Sequence, residues 1–190
     1  MSKFKQMKPM AFVNAEIPGI GTGGLLIEGD YIAACGKDLV QSQIGSGATV
    51  VDCLGKIILP GLVDMRVFTG EPGTEHRESL ASASEAAAAG GVTTMVVMPN
   101  TDPVIDDAAI VDYVLRRARD TAIVRAVPMA AITRSLKGEL ISEIGLLKEA
   151  GAVAITDATK AVANANIFRR ALTYAKDYDM LVVQHVEEPT

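Results

Sequence analysis

The sequence predicts an α/β protein with two parts, and two observations support this. Residues 1–58 contain short β-prone runs between glycine-rich turns, with no stretch of helical length and period. From residue 59 onward, short apolar runs alternate with segments of helical period, which is typical of βαβ units around a parallel sheet. With 190 residues, 49% of them hydrophobic, the chain is large enough for a substantial core.

Composition excludes several classes of function. The formal charge is -5 and no basic tract occurs, so a nucleic-acid partner is not expected. No apolar run approaches the roughly 20 residues of a membrane span, and Lys and Pro interrupt the amino terminus too often for a secretory signal. The two cysteines, Cys35 and Cys53, lack CxxC spacing and are expected to be reduced thiols of a cytoplasmic protein.

The first part is expected to be structural. Its β-prone runs lie at residues 11–17, 23–36 and 48–58, and Glu28-Gly29-Asp30 is the predicted tight turn. It contains no cluster of charged or ligand-like residues that would indicate a site.

The second part, residues 59–190, is predicted to contain about five strands and four helices. Apolar runs indicate strands at 62–67, 92–98, 122–129, 152–156 and 180–184. Helices are expected at 75–89 after a Thr74 cap, from an Asp106 cap to 119, at 139–150 and at 164–178.

The stretch from Leu59 to Gly73, LPGLVDMRVFTGEPG, carries the most specific pattern. Strand alternation would place Asp64, Arg66 and Phe68 on one face, with Met65 and Val67 on the other. Polar side chains at the end of a buried strand usually belong to a site.

This stretch resembles the first barrel strand of the dihydroorotases, cyclic-amide hydrolases of the amidohydrolase superfamily. Their signature is Asp-x-His-x-His-x-Arg-Glu-Pro-Gly. The chain retains Asp64 and Glu71-Pro72-Gly73, but has Arg66 and Phe68 at the positions of the two metal-binding histidines. Gly70 stands where the family has an arginine that binds the substrate. A guanidinium and a phenyl ring have no lone pair for a metal.

Three later strand ends add to the resemblance. Asn100, in Met-Pro-Asn-Thr, matches a family residue that contacts the substrate's carboxylate, although asparagine also favours turns. Asp157 matches a metal-bridging aspartate and is a candidate catalytic residue, with a helix cap or a salt bridge as the alternative. His185, in Gln-His-Val-Glu-Glu, matches a family metal ligand.

Arg66 has two interpretations of its own. It either binds an anion or a substrate carboxylate at the barrel mouth, or it forms a salt bridge with Asp64 or Asp157.

The resemblance implies an incomplete (β/α)₈ TIM barrel preceded by part of a small β-sandwich. A complete barrel has eight strands, so we expect the front part of a longer protein; the alternative is an open α/β sheet that stands alone or pairs with a second chain. Asp157 and His185 would offer two metal ligands, whereas a catalytic zinc takes at least three from the protein.

Two functions follow from the resemblance. The altered first strand favours a non-catalytic dihydroorotase homologue of pyrimidine biosynthesis without a cofactor. It would be a homo- or hetero-oligomer and a structural partner of aspartate transcarbamoylase. The alternative is an active cyclic amidohydrolase that uses zinc.

Overall fold

The structure is a computed structural model that describes residues 8–39, 44–45 and 47–187. The chain divides into two compact units, Met1–Pro60 and Gly61–Thr190. No helix in the described part of the chain is long and apolar enough to cross a membrane.

The first unit is a four-stranded sheet. Its strands are β1 (Met10–Ile17), β2 (Gly21–Glu28), β3 (Tyr31–Gly36) and β4 (Thr49–Asp52), in the order β3-β2-β1-β4. β2 is antiparallel to both β1 and β3, whereas β4 runs parallel to β1. Alternate residues of β1, namely Ala11, Val13 and Ala15, are buried, as a sheet with one covered face requires. The predicted turn at Gly29 joins β2 to β3 and is confirmed.

The second unit alternates strands with helices. Its strands are β5 (Leu62–Val67), β6 (Val92–Val97), β7 (Arg125–Pro128), β8 (Ala154–Ile155) and β9 (Leu181–Val182). Its helices are α1 (Leu80–Ala89), α2 (Ala108–Thr121), α3 (Ile144–Ala150) and α4 (Ala165–Asp177).

The five strands of this unit are parallel and lie in chain order. β5, β6 and β7 form one sheet, and β8 pairs with β9. Backbone hydrogen bonds from Val153 to Pro128 (3.1 Å) and from Ala130 to Ala154 (2.9 Å) join β7 to β8. All five carboxyl ends therefore meet at one edge, as in part of a (β/α) barrel, and the predicted fold class is confirmed.

Two predicted helix starts are wrong. α1 begins at Leu80 rather than residue 75, because the Ser79 hydroxyl accepts a hydrogen bond from the Ser82 amide and Ser82 reciprocates at the Ser79 amide. α3 begins at Ile144 rather than residue 139, and a single 3₁₀ turn lies before it at Arg134–Leu136.

The cap of α2 is displaced by one residue. Asp107, rather than Asp106, accepts the hydrogen bond from the Ala109 amide at 2.8 Å. Asp106 instead accepts one from the Ser135 amide at 2.7 Å and so ties the start of α2 to the 3₁₀ turn. α4 was predicted to begin at residue 164; it begins at Ala165, and Asn164 caps it.

The core of the second unit is apolar and lies mainly between its sheet and its helices. Its fully buried side chains include Leu80, Met95, Val97, Ile105, Val111, Val114, Ile132, Ile144, Leu147 and Ile155. By contrast, Leu62, Val63 and Met65 of β5 are more than half exposed, at 58%, 59% and 54%. β5 therefore presents apolar side chains that nothing in the described part of the chain covers.

Gly73 gives a direct test of how the loops after β5 and β6 pack. Its φ is +102°, and a Cβ there would lie 1.9 Å from the Asp102 carbonyl oxygen. Gly91 has a similar φ of +79° with open space around it. We expect Gly91→Ala to lower the free energy of unfolding by about 1 kcal/mol, from backbone strain alone. Gly73→Ala should cost at least about 2 kcal/mol more, because backbone atoms must move. Urea denaturation of both variants measures the difference, and equal losses would contradict the packing described.

Candidate functional site

A cavity of about 180 Å³ lies at the carboxyl edge of the second unit's strands. Residues in or just after each of β5 to β9 line it: Met65, Arg66, Met98, Met129, Thr156, Ala158, Val183, Gln184 and His185. Larger grooves of about 480 and 260 Å³ are lined by α4 and the segment 134–141. The smaller cavity is the better candidate site, because the carboxyl ends of barrel strands are where this architecture places its chemistry.

The guanidinium of Arg66 lies beside an aromatic ring. Its centre is 5.6 Å from that of Phe68, while the Arg66 backbone amide donates to Asp64 Oδ1 at 2.9 Å. No acidic side chain in the described ranges lies within ion-pairing distance of that guanidinium. The salt bridge with Asp64 or Asp157, one of the two interpretations, is therefore wrong, and the Arg66 side chain lines the cavity.

The strict alternation expected for β5 does not hold at its end. Met65 and Arg66 are adjacent in sequence, yet both line the cavity. The register of β5 against β6 shifts between Asp64 and Val67, and this irregularity explains how neighbouring side chains reach the same space.

Gln184 and His185 contribute polar groups from the end of β9. His185 Nε2 lies 2.7 Å from Glu187 Oε2, and the imidazole side chain is 27% exposed. The side-chain oxygen of Gln184, Oε1, is buried and has no hydrogen-bond partner among the residues that the structure describes. Arg66 and His185, both predicted as site residues, are thus brought to one cavity.

Asp157 is not among the residues that line this cavity, although Thr156 and Ala158 on either side of it are. Its carboxylate is buried, with Oδ1 accepting from the Thr133 amide at 2.9 Å and Oδ2 from the Thr133 hydroxyl. Burial raises the pKa of Asp157, and the hydrogen bonds from Thr133 oppose this effect only in part. The structure therefore gives Asp157 the role of fastening the loop after β7, and its metal-binding role stays a prediction.

Asn100 is exposed in the loop after β6 and does not line the cavity either. The loop is held by its neighbours, since Thr101 Oγ1 donates to the Pro103 carbonyl at 2.7 Å. The Asp102 amide donates to the Pro72 carbonyl at 3.0 Å and joins the loop to the one after β5. Substrate contact by Asn100 stays a prediction.

Glu71 is a buried charge whose partners the sequence did not indicate. Only 1% of it is exposed; Oε1 lies 2.5 Å from Arg117 Nε, and Oε2 accepts from the Leu80 amide at 2.9 Å. The hydrogen bond from Arg117 to Glu71 raises the pKa of that guanidinium. Glu71 thereby ties the loop after β5 to α1 and α2. The partner is 46 residues away and carries no local signal.

Gly70 is closed to any larger side chain. A Cβ there would lie 2.1 Å from the Thr74 carbonyl oxygen and 2.8 Å from that of Glu78. The Gly70 amide donates to the Glu78 carbonyl at 2.8 Å, which holds this loop in place. An arginine at this position would require the 70–78 loop to move.

Comparison with known proteins decides the family. The model of the family described as "Dihydro-orotase-like" matches residues 55–190. The chain belongs to the dihydro-orotase-like family.

Relatives in this family are similar over most of the chain. A dihydroorotase of Caldicellulosiruptor saccharolyticus is 38% identical over 182 residues, which is 96% of this chain and 42% of that protein. One of Syntrophobacter fumaroxidans is 47% identical over 152 residues, 80% of this chain and 34% of the relative. The chain thus spans about two-fifths of the length of the curated relatives it matches.

A solved structure supports the fold. L-hydantoinase (dihydropyrimidinase) from Arthrobacter aurescens superposes with a TM-score of 0.76 at 22% identity, over 93% of this chain and 40% of that one. At this identity the likeness concerns the fold alone.

The family's metal chemistry finds few donors at this cavity. Arg66 and Phe68 have no lone pair to offer, and His185 supplies the one imidazole among the lining residues. Within residues 8–39, 44–45 and 47–187 no group of three or more His, Cys, Asp or Glu side chains is placed to hold a metal ion. These donors do not fit the three or more protein ligands of a catalytic zinc.

Stability of the second unit should depend on Glu71. We expect Glu71→Gln to lower the free energy of unfolding by about 1–3 kcal/mol. Arg117 then loses its counter-ion, and the buried Leu80 amide loses its charged acceptor. Glu85→Gln is the matched control, since Glu85 is exposed on α1 and its change should stay within about 0.5 kcal/mol. Urea denaturation compares the two, and equal effects would contradict the anchoring role of Glu71.

The buried Asp157 should make the free energy of unfolding depend on pH. Its folded-state pKa is raised, so the fold favours the protonated form. That stability is present below the unfolded-state pKa of about 4 and is lost as the pH rises through the folded-state pKa. The free energy of unfolding, relative to that of Asp157→Asn, should therefore fall as the pH rises above about 4, by up to about 1.4 kcal/mol per pH unit. Denaturation at several pH values measures this, with the exposed Asp30→Asn as the control. A relative stability that rises with pH would contradict the assignment.

Proposed function

We propose that this protein is a dihydroorotase-like member of pyrimidine biosynthesis that does not hydrolyse dihydroorotate. In this proposal it acts as a structural partner of aspartate transcarbamoylase. The observation that carries the loss of catalysis is the identity of two residues of β5 and its end, Arg66 and Phe68, where the family signature has histidines.

Coordination chemistry supports the loss of the metal site. Arginine stays protonated at every accessible pH, so it offers a fixed positive charge where a metal needs an electron pair. That charge also repels a divalent cation. Phe68 stacks against the same guanidinium, so the two replacements stabilise one another.

Two further positions of the resemblance, Asp157 and Gly70, also support the proposed loss of catalysis. Asp157 is engaged by both the amide and the hydroxyl of Thr133. Gly70 is closed by the Thr74 carbonyl, so the arginine of the family signature has no room in this loop. Asp157 thus matches the family in residue type but is held by Thr133, whereas Gly70 differs in residue type and its loop also has no room for a side chain.

The structural role and its partner follow from the resemblance to non-catalytic dihydroorotase homologues. We propose accordingly that the protein forms a homo- or hetero-oligomer and uses no cofactor. The alternative is an active zinc amidohydrolase, and the presence of His185 at the cavity favours it.

A zinc titration of the full-length protein separates these functions. We expect no hydrolysis of dihydroorotate above background at any zinc concentration, with the Caldicellulosiruptor saccharolyticus relative assayed in parallel as the positive control. We also expect the protein to co-purify with aspartate transcarbamoylase from its own cells. Turnover that saturates with zinc would establish the alternative.

A pair of double variants tests whether the residues at positions 66 and 68 decide zinc binding. Arg66→His with Phe68→His should raise zinc affinity by about tenfold or more, measured by competition with a chromophoric chelator, because two imidazoles then join His185. Arg66→Gln with Phe68→Leu removes the same positive charge without adding ligands, so it should raise zinc affinity by less than the double histidine variant does. Equal zinc affinity in both double variants would show that these positions do not decide metal binding.

A further inference from the structure

We propose that two copies of this chain associate through the exposed face of α4, with the two α4 helices packed antiparallel about a two-fold axis. In this arrangement Arg170 of each copy pairs with Asp177 of the other. The inference rests on the structural, oligomeric role proposed above and assigns a surface to it. None of the residues involved lines the cavity at the strand ends.

α4 and the segment 134–141 line a groove that is partly apolar. Its two hollows, of about 480 and 260 Å³, share Ile141 and Arg170 and therefore form one outer groove. Ile141, Ile167 and Tyr174 are partly exposed in it, and Leu140 beside them is 66% exposed. Apolar side chains that are exposed together, with polar residues around them, mark a contact surface for another protein.

The charges of α4 lie in an order that is complementary to itself. Arg170 and Asp177 are both exposed, both line the outer groove and stand seven residues apart. Seven residues of helix span about 10 Å, and the midpoint falls between Thr173 and Tyr174, which line the same groove. A second α4, antiparallel across that midpoint, would place each arginine opposite the partner's aspartate. Both ion pairs then form at once.

Neither charge is used by an ion pair of the fold. No salt bridge among the described residues involves Arg170 or Asp177. The opposite side of α4 is already occupied, since Ala171 and Ala175 belong to the core of the second unit. The exposed face is therefore the one that α4 can offer to a partner.

A second copy fits this groove better than a strongly acidic or strongly basic partner. The charged residues that line it are of both signs: Arg134, Arg169, Arg170, Glu139 and Asp177. A partner of one sign would meet like charge at some part of the groove, and like charges across an interface are unfavourable. A two-fold homodimer instead requires a surface that is complementary to itself.

The centre of the contact allows the helices to approach closely. Helices pack with their axes about 8–10 Å apart, and Thr173 at the midpoint is a small side chain on the exposed face. The contact covers about two turns of each helix, which is less than the roughly 800 Å² per partner of a stable complex. We therefore expect a dimer that dissociates at about 10 μM or above.

Charge reversal tests the pairing by sedimentation equilibrium of the full-length protein. Arg170→Glu and Asp177→Arg should each weaken association by about tenfold or more, because the two-fold axis turns two attractions into two repulsions. An equimolar mixture of the two variants should associate nearly as well as the unaltered protein, since opposite charges face each other again in the mixed dimer. Lys176→Glu is the matched control: Lys176 is exposed on α4, does not line the outer groove and should not affect association.

A cross-link tests the position of the two-fold axis. It is made in a Cys35→Ser background, because Cys35 is exposed. Thr173→Cys should form a disulfide-linked dimer on mild oxidation, since a residue beside the axis faces its own copy at a distance that a disulfide can span. Lys176→Cys lies outside the groove and should remain a single chain on a non-reducing gel.

Four results would overturn the proposal. They are no self-association of the full-length protein up to about 100 μM, association unaffected by either charge reversal, a mixture that associates no better than each variant alone, and equal cross-linking of Thr173→Cys and Lys176→Cys. Each of them leaves the proposed absence of hydrolysis intact, because that is judged by turnover in the zinc titration. Conversely, zinc-dependent turnover would defeat the proposed function whatever the state of association.

Discussion

The buried carboxylate of Glu71 is the interaction on which the candidate site depends. A buried carboxylate is stable only when its charge and lone pairs are satisfied, and here the guanidinium of Arg117 and the amide of Leu80 satisfy them. The loop that follows β5 is consequently fixed against α1 and α2. The same loop meets the loop after β6, where the Pro72 carbonyl accepts from Asp102 and Gly73 leaves no room for a side chain. Together these contacts hold the end of β5, and therefore Arg66, at the edge of the sheet.

The two halves of the family signature have different physical roles in this structure. Glu71, Pro72 and Gly73, which the chain retains, hold the strand-end loops together. Arg66 and Phe68 differ from the signature at its two histidine positions, and the Arg66 guanidinium lies 5.6 Å from the centre of the Phe68 ring. A chain that kept its loops but lost its ligands would retain the fold and lose the metal chemistry, which is the combination proposed here.

The sequence predicted the order of strands and helices in the second unit because the apolar periodicity there is strong and each βα unit repeats it. It misplaced the starts of α1 and α3, where the outcome depends on local hydrogen bonds; the Ser79–Ser82 capping box outcompeted Thr74 as the start of α1. It predicted Arg66 and His185 as site residues but could not show that Thr133 binds the carboxylate of Asp157. That contact joins residues 24 positions apart, and no local pattern encodes it.

The residues at the end of β8 also line the cavity. Thr156 and Ala158 line the cavity, while Asp157 between them is turned into the protein. The end of β8 therefore presents a hydroxyl and a methyl group to the cavity, the latter from Ala158 with φ of 58°. For Asp157 to face the cavity, both hydrogen bonds from Thr133 would have to break, and the loop after β7 would lose its anchor. The ends of β5 and β8 thus present a guanidinium, an aromatic ring, a hydroxyl and a methyl group, none of which is among the usual protein ligands of zinc.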